Sequence, residues 1–498
     1  VCVYRLHFSY EIRDEYATTL NSIMTVILGG GICGLSAGYY ALQHQKLAPL
    51  VILEASNRVG GWIRSKVLDD GTIFEQGPHT IRLTSGNETL ELLDGLKLTD
   101  RITGMGPTHP ANRNRWIYAN NQLHLLPTSF RGALKKHPLF GRLIINGLWN
   151  DLRAPKCPTK DESLYSFTER RFGKEIADYI ISSAVRGICA GDSEKISVNF
   201  MFKRPFEYEQ KYGSVTKGFL KSLFSSHDKD MEELIEKRKT EVPSKLVEKS
   251  KKEKWIFLTI KGGLEQFPLT LADKLQRRGV NIKLGEKCQK ITFKPDHAEL
   301  VVNGERRKYS RVVSCLPANN LAELVQEQHP QLSRELVAIP SVTVAVVNLQ
   351  FSGNVLPMDA FGLLVPPKED SPILGVIFAS SLYTQNSTVL TVMMGGAWYE
   401  KYFGENTGSE ELLTVAVNEV KKILSIKDDP KAHNVSILKD CIPQLIVGYE
   451  ERLNRIQNYI SAHRIPLALC GSYEGVGINQ VILSAKQAVS NIVKDTKV

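Results

Sequence analysis

The chain has 498 residues, more than one hydrophobic core normally supports, so we expect two or three structural units. Its hydrophobic content of 42% and charged content of 23% are ordinary for a folded protein and exclude disorder as the overall state. No apolar run reaches the roughly 18 residues that a membrane-spanning helix needs, so we expect none. Attachment to one face of a membrane stays open, and the net charge of +10 is compatible with an anionic partner.

The eight cysteines and eleven histidines lie apart in the sequence. They form no C-x-x-C pair and no H-x-x-x-H or Cys/His spacing of the kind that surrounds one metal ion. We therefore expect reduced, mostly packed thiols and no bound metal.

Residues 1–23 precede Met24 and carry Arg5 and Arg13 against three acidic side chains. This mixed charge differs from an arginine-rich transit peptide, and the stretch lacks the apolar centre of a signal peptide. We expect an extension outside the fold, with Met24 as a natural start.

From Thr25 the pattern is strand, glycine turn, helix and strand, which predicts a βαβ unit. Gly29, Gly31 and Gly34 form G-x-G-x-x-G directly after the first strand. These glycines allow a tight turn and a close approach of the backbone to a pyrophosphate at the helix N-terminus. Glu54 ends the second strand 20 positions beyond Gly34, where a carboxylate can accept hydrogen bonds from a ribose. The segment therefore predicts a dinucleotide site.

A second glycine cluster, with Arg58, Gly60, Gly61 and Arg64, follows the acidic residue. A nicotinamide site does not need it, whereas adjacent glycines let the chain run against a longer ligand and an arginine offers forked donors to phosphate. The arrangement resembles the FAD-binding flavoproteins of the amine oxidase, phytoene desaturase and protoporphyrinogen oxidase group.

This resemblance implies noncovalent FAD. In that group a C-terminal glycine turn, here Gly471, Gly475 and Gly477, borders the flavin. The helix after the turn points its positive N-terminus at the ring, which would stabilise an anionic reduced flavin. Besides the glycines, Glu54 and Arg58, the resemblance implies cofactor contacts by Ile32, Cys33, Ala55, Trp62, Gly77, Pro78, Cys288, Val476 and Ile478.

Most of the excess positive charge lies between Arg101 and Lys160, where ten basic residues face the single acid Asp151, so 10 minus 1 leaves +9. Aromatic and branched residues interleave the charges, and Trp116, Phe130, Phe140, Ile144 and Ile145 are the candidates for shallow membrane insertion. The combination favours an anionic lipid surface or an anionic substrate over nucleic acid. A solvated basic face is the structural alternative.

The pattern along the chain predicts a fold class of α/β plus α+β. A Rossmann-like FAD-binding domain is built from discontinuous segments, beside an antiparallel-sheet substrate domain and a helical membrane-associating region. We expect an extension at 1–23, a first FAD-binding segment at 24–100, a helical substrate and membrane-binding region at 101–225, a charged insert at 226–254, a second FAD-binding segment at 255–317, a substrate-domain sheet at 318–444 and a third FAD-binding segment at 445–498.

Further stretches narrow the resemblance to the protoporphyrinogen oxidase family and cover nearly the whole chain after Met24. They are, in order, "NRWIYANNQLHLLPTS", "ESLYSFTERRFG", "RGICAGD", "SVTVAVVNLQF", "AFGLLVP", "CIPQ" and "GSYEGVGIN". The resemblance implies oxidation of protoporphyrinogen IX to protoporphyrin IX in haem biosynthesis. Six electrons would pass through FAD to three molecules of oxygen, giving hydrogen peroxide.

The resemblance places a propionate-binding arginine at Arg115, in "NRWIY", and a glycine close to the macrocycle at Gly187, in "RGICAG". An exposed basic residue and a packing glycine are the structural alternatives for these positions. We predict no certain catalytic side chain, because aromatisation can drive hydride loss and pyrrole protons can leave to solvent or neighbours.

The resemblance also implies a peripheral location on the intermembrane-space side of the mitochondrial inner membrane. It is compatible with a homodimer and with hand-over of product to the ferrochelatase step. Two other functions stay open: a flavin-dependent amine oxidase, and a non-catalytic FAD-containing protein that binds porphyrin or membrane. The chain departs from the family's pattern at His79, Leu445, Tyr449 and Ala485.

Overall fold

The computed structural model describes residues 24–44, 47, 49–83, 86–224, 244–383 and 387–495. The predicted extension at 1–23 lies outside the described residues, as does most of the predicted charged insert. The last part of that insert forms a helix, Lys245–Glu253.

Within the described residues the strands, in chain order, are β1 Thr25–Leu28, β2 Leu50–Glu54, β3 Ser65–Val67, β4 Ile73–Glu75, β5 Ile81–Arg82, β6 Ile102–Met105, β7 Trp116–Ala119, β8 Gln122–Leu125, β9 Phe257–Ile260, β10 Asn281–Leu284, β11 Cys288–Phe293, β12 Ala298–Val302, β13 Glu305–Tyr309, β14 Arg311–Ser314, β15 Ser341–Phe351, β16 Gly362–Leu364, β17 Ile373–Phe378, β18 Thr388–Gly396, β19 Ala432–Pro443 and β20 Leu467–Leu469.

The α-helices of the same residues are α1 Ile32–Ala41, α2 Glu88–Gly95, α3 Pro110–Arg113, α4 Phe130–Leu134, α5 Leu143–Arg153, α6 Leu164–Phe172, α7 Ser182–Cys189, α8 Val198–Met201, α9 Lys203–Tyr212, α10 Val215–Phe224, α11 Lys245–Glu253, α12 Gln266–Arg277, α13 Ala318–Val325, α14 Pro330–Val337, α15 Tyr399–Phe403, α16 Ser409–Leu424, α17 Tyr449–Ala462 and α18 Ile478–Asp495. A π-helix, Ile176–Ile181, directly precedes α7.

The chain divides into two compact units, each assembled from separate segments. The first consists of the described residues within Val1–Arg64, Glu265–Ile339 and Glu450–Val498. The second consists of those within Ser65–Leu264 and Pro340–Tyr449.

A five-stranded parallel sheet forms the centre of the first unit, in the order β10-β2-β1-β14-β20. Its central strands are continuous apolar runs because helices cover both faces of such sheets; all four residues of β1 are buried. Nine of the ten residues of α1 are also buried, since α1 packs against both α12 and α18.

A seven-stranded sheet dominates the second unit, in the order β19-β15-β18-β17-β16-β7-β8. Its neighbours are antiparallel except for β16 and β7, which are parallel. One face packs on α16 through Leu412, Ala416 and Val420, all fully buried. The alternating apolar residues predicted to be strands therefore form the core of this unit, and β7 and β8 come from the region predicted as helical.

The four residues that depart from the family's pattern are all buried in the structure. His79 is 3% exposed and its Nε2 lies 2.8 Å from Thr391 Oγ1. Burial lowers the pKa of His79 to about 4, so the imidazole is neutral at physiological pH. Leu445, Tyr449 and Ala485 are buried as well.

A buried ionic network joins several helices of the second unit. The Arg171 guanidinium is fully buried and pairs with Asp151 and Glu209. Asp151 also accepts hydrogen bonds from Ser214 Oγ at 2.6 Å and from the Thr216 amide at 2.7 Å. The one acid of the predicted basic segment therefore has its charge compensated in the interior, and the surface of that segment is left basic.

The predicted fold class is confirmed by this architecture and by the comparisons with known proteins given below, whereas the membrane-associating region stays a prediction. No helix among the described residues combines the length and apolar character that crossing a membrane requires.

Candidate dinucleotide site

The first glycine turn connects β1 directly to α1. Gly29 has φ of +102°, a backbone conformation that glycine adopts without steric cost. A Cβ on Gly34 would lie 1.8 Å from the Gly29 carbonyl oxygen, so only glycine lets the helix begin this close to the turn. Gly31 is the N-cap of α1, its first turn has no acidic residue, and no side chain caps it. The amides at this helix end therefore suit an anion.

Glu54 stands at the end of β2, beside the glycine turn. Its Oε2 accepts a hydrogen bond from the Gly30 amide at 2.6 Å, and its Oε1 accepts one from the Ser56 amide at 2.8 Å. A Cβ on Gly30 would lie 3.0 Å from Glu54 Cβ, so the middle glycine makes room for the carboxylate. A carboxylate has about four acceptor positions, which leaves capacity for a ribose.

The second glycine cluster packs against the first. The Gly60 amide donates to the Gly30 carbonyl at 2.9 Å, and Gly31 and Gly60 form an isolated parallel bridge. Gly60 and Gly61 both have positive φ, +104° and +56°. The two glycine segments that are predicted to bind the same ligand therefore lie side by side and form one surface without side chains.

Arg58, which is half-buried, holds that second turn through hydrogen bonds to its backbone. Its Nη1 donates to the Gly61 carbonyl and its Nη2 to the Ile63 carbonyl, each at 2.8 Å. Nη2 also pairs with Glu265 Oε1 at 2.7 Å. These bonds show the guanidinium holding the loop, while contact with a phosphate stays a prediction. Ala55 and Trp62, on either side, are exposed.

The C-terminal glycine turn follows β20, the strand next to β14. Gly471 has φ of +119° and its amide donates to Ser484 Oγ. Gln480 Oε1 accepts from the Gly477 amide at 3.0 Å. Gln480 also occupies the space where a Cβ on Gly475 would point. Val476 precedes Gly477, and Ile478 begins α18, whose first turn also has no acid.

Cys288 is the remaining predicted cofactor residue of the first unit. It begins β11 and is half-buried. Two residues before it, the Glu286 amide donates to the Glu54 carbonyl at 2.9 Å. The structure therefore brings the segment of Cys288 to the predicted ribose acid. Gly77 and Pro78, in contrast, belong to the second unit, where they follow β4. Arg115 and Gly187 belong to that unit as well.

Sequence reasoning did not identify several residues of these sites. The middle glycine, Gly30, could have been found from the G-G-G run. The other missed residues of this site are Glu265, which lies 207 positions from Arg58 in the sequence, and Gln480, which belongs to no motif.

The residues of the first unit fit FAD. The N-terminus of α1 has no side-chain cap, and glycines leave the turns at Gly29 and Gly60 without side chains. The carboxylate of Glu54 stands at the predicted ribose position. Together the fold and this site define a dinucleotide-binding protein with a second, antiparallel-sheet unit.

Comparisons with known proteins identify the class more closely. The flavin containing amine oxidoreductase family matches residues 32–493. The human protoporphyrinogen oxidase is 34% identical over 94% of this chain and 98% of its own length. A tobacco relative, named as a mitochondrial protoporphyrinogen oxidase, is 24% identical over 86% of each chain. The crystal structure of an Exiguobacterium protein assigned to the protoporphyrinogen oxidases has a TM-score of 0.77 at 21% identity, covering 95% of this chain and 99% of that one.

The chain belongs to the flavin containing amine oxidoreductase family, in the branch of the protoporphyrinogen oxidases. It is therefore an FAD-dependent oxidoreductase, and the predictions of family and cofactor made from the glycine motifs and the ordered stretches are confirmed.

Glu54→Ala tests the ribose position. We expect it to weaken FAD binding about 10- to 100-fold, because a charge-assisted hydrogen bond contributes about 1.5–3 kcal/mol. FAD titration of the apoprotein, followed by flavin fluorescence, measures the change. The matched control is Glu323→Ala, an exposed acid on α13 of the same unit, which should bind FAD as the parent does. Equal affinity in Glu54→Ala and parent protein would remove Glu54 from the site.

Proposed function

We propose that this chain oxidises protoporphyrinogen IX to protoporphyrin IX in haem biosynthesis. Six electrons leave the substrate in three two-electron steps and reduce three molecules of oxygen to hydrogen peroxide. FAD, when bound, supplies the two-electron acceptor that oxygen regenerates. The residues of the first unit hold FAD and those of the second unit bind the porphyrinogen.

Arg115 is the observation that carries the substrate proposal. Its side chain is exposed, and among the described residues no carboxylate lies within salt-bridge distance of its guanidinium. The Arg115 Cζ lies 6.0 Å from the centre of the Phe257 ring. A cation beside an aromatic wall suits an apolar macrocycle that carries propionates.

Arg82 adds a second cation to the same place. It is paired across the strands with Phe257. Loss of hydration of the Arg115 guanidinium lowers the pKa of Arg115, and the charge of Arg82 lowers it further. Phe361 extends the aromatic wall, with its ring centre 5.2 Å from that of Phe257.

Gly187 lies on α7 and faces β16. A Cβ there would come within 2.6 Å of Leu364 Cδ2, so a larger residue would require the Leu364 side chain to shift. Gly187 is nevertheless exposed, and backbone approach to a substrate remains part of the proposal. Chemistry in this site depends on positioning, since no side chain is assigned as a base and aromatisation drives the oxidation.

Anaerobic mixing tests the function directly. Protoporphyrinogen IX should bleach the flavin absorbance while porphyrin fluorescence rises, and air should restore the flavin. An amine oxidase would bleach with amines and not with the porphyrinogen. A non-catalytic binder would keep its flavin oxidised with both, and either result would refute the proposal.

Arg115→Ala tests the propionate contact. We expect kcat/KM for protoporphyrinogen IX to fall about 10- to 100-fold, because a charge-assisted pair is lost, while FAD content stays unchanged. The dimethyl ester of the substrate, which has no carboxylate, should be oxidised equally by the variant and the parent.

The matched control is Arg113→Ala, an exposed arginine two positions away at the end of α3. It should leave both substrates unaffected. If Arg115→Ala lowered turnover of the acid and the diester to the same extent, Arg115 would be structural.

We further propose that helices of the second unit attach the protein to an anionic membrane. Exposed apolar side chains on α5 and α10, two helices that pack together, are Ile145, Leu148, Trp149, Leu152, Phe219, Leu220 and Leu223. Trp149 is 57% exposed and Leu223 63%, which is unusual for apolar residues this large.

This surface differs from the predicted one. It lies on α5, in the C-terminal part of the basic segment, and on α10, which lies beyond that segment. Phe140, predicted to insert, is 4% exposed and packs with Ile117 and Tyr179, so that prediction is wrong. Ile145 is exposed as expected, Trp116 is half-buried, and the side chains of Phe130 and Ile144 lie outside what the structure describes.

Vesicle co-sedimentation tests the attachment. Cardiolipin-containing vesicles should bind more protein than neutral ones, since each lysine or arginine near an anionic surface contributes about 1 kcal/mol. Charge reversal at Arg131, Lys135 and Lys136 should lower binding at low salt. The double change Trp149→Ser and Leu152→Ser should remove the salt-resistant remainder. Binding that survives both sets of changes would exclude this surface.

The location proposed for the chain is the mitochondrial inner membrane, peripherally and on the intermembrane-space side. A pocket that opens beside the lipid would receive a poorly soluble substrate directly. A homodimer and hand-over of product to the ferrochelatase step belong to the same proposal.

A further inference from the structure

Three cysteines that are far apart in the sequence meet beneath the dinucleotide site of the first unit. Cys33 is the second residue of α1, Cys315 follows β14 and Cys470 follows β20. Their sulfur atoms all lie within 4.8 Å of one another. Cys33 and Cys470 are buried, whereas Cys315 is only half-buried.

The sheet register explains the meeting of Cys315 and Cys470. Ser314 and Leu469 are partners in the parallel pairing of β14 and β20, so the next residue of each strand falls side by side. The two sulfur atoms are 3.1 Å apart. Neighbouring strands lie about 4.8 Å apart, within the range of about 4.4–6.8 Å that disulfides span between Cα atoms.

We propose that Cys315 and Cys470 form a redox site, in which a peroxide converts the two thiols to a disulfide while Cys33 assists from α1. All seven cysteines among the described residues are reduced in this structure, which represents the dithiol form.

Cys470 is the attacking sulfur. Hydrogen bonds from Cys315, followed by Cys33, lower the pKa of the Cys470 thiol to about 5. Burial raises the pKa of the Cys315 thiol, so Cys315 keeps its proton. Cys470 therefore loses its proton more readily than Cys315, which gives disulfide formation an attacking sulfur and a protonated partner.

The chemistry balances in two steps. The Cys470 thiolate attacks one oxygen of hydrogen peroxide, an S–O bond forms, the O–O bond breaks and hydroxide leaves. Cys315 then attacks the Cys470 sulfur, the S–S bond forms, the S–O bond breaks, and its proton leaves with the oxygen as water. In the overall reaction two thiols give two electrons to one hydrogen peroxide, and the products are one disulfide and two water molecules.

The number of available ligands favours a disulfide over a metal ion. Structural zinc sites are almost always closed by four ligands, whereas a disulfide needs only two of the three sulfurs. Within the part of the chain that the structure describes, no fourth cysteine, histidine or carboxylate joins the three thiols.

The site is linked to the glycine turns by direct contact. A Cβ placed on Gly29 would lie 3.4 Å from the Cys315 carbonyl, and one on Gly471 would lie 3.8 Å from the Cys33 sulfur. Disulfide formation shortens the distance between the two sulfurs from 3.1 Å to about 2.05 Å, which requires the side chains beside both turns to shift. We therefore expect oxidation to weaken FAD binding about fivefold or more, and bound FAD to hinder oxidation to the same extent at equilibrium.

Peptide mapping of the holoenzyme tests the site. The protein is reduced with dithiothreitol, freed of reductant, treated with hydrogen peroxide, blocked with a maleimide and digested without reduction. Mass spectrometry should find the peptides of Cys315 and Cys470 joined, lighter by two hydrogens, and separated again by dithiothreitol. Because the peroxide is added as a reagent, failure here leaves the proposed oxidase function untouched.

Matched variants complete the test. Cys315→Ser and Cys470→Ser should each abolish the linked peptide, while Cys441→Ala, a half-buried cysteine of the second unit, should keep it. Protein oxidised in urea should give mixed pairings, which shows that the native fold selects the pair.

Three outcomes would overturn the proposal. One is a wild-type protein without the 315–470 link; another is Cys470 carried to sulfonic acid while Cys315 stays free. The third is a reduced protein that retains one Zn²⁺ or Cd²⁺ per chain through the three thiols and resists peroxide. FAD affinity that is equal in the dithiol and disulfide forms would overturn the coupling to the cofactor.

Discussion

The parallel pairing of β1 with β14, and of β14 with β20, is the constraint on which the first unit depends. Parallel strands end at one edge of their sheet, so the loops that follow these three strands are forced together. That edge carries the first glycine turn, Cys315 and the turn at Gly471. The glycine turns at Gly29 and Gly471 and the thiol cluster therefore meet because of one strand register, although they serve different chemistry.

The charged side chains differ in how far the protein itself compensates their charge. Glu54 accepts two backbone amides at a glycine turn, and Asp151 is buried among a guanidinium, a hydroxyl and amides. Such carboxylates are held where they are by several donors at once. Arg115 lies at the other extreme, since within the described residues it has an aromatic ring and a like charge for neighbours. An uncompensated cation of this kind is a feature that folding alone does not require.

Local sequence determined the βαβ element and its ligand. The turn, the helix and the acid of residues 25–54 are contiguous, and each depends on properties of single residues: the missing side chain of glycine, the register of one strand, and a carboxylate at its end. The alternating apolar residues of β15, β17 and β18 predicted their antiparallel sheet for the same reason. The ordered stretches along the chain identified the family and FAD.

Tertiary structure alone decided which distant residues share a site. Nothing near Cys33 in the sequence indicates Cys315 or Cys470, because their meeting depends on the pairing of strands whose partners are far apart in the chain. Arg82 joins Arg115 through the register of β5 and β9 in the same way. The sequence also did not reveal which apolar residues are buried. Phe140 and Ile145 both belong to the basic segment, yet Phe140 is covered by packing against β7 and Ile145 is exposed. Composition sets which residues can be buried, whereas only the packing of elements selects those that are.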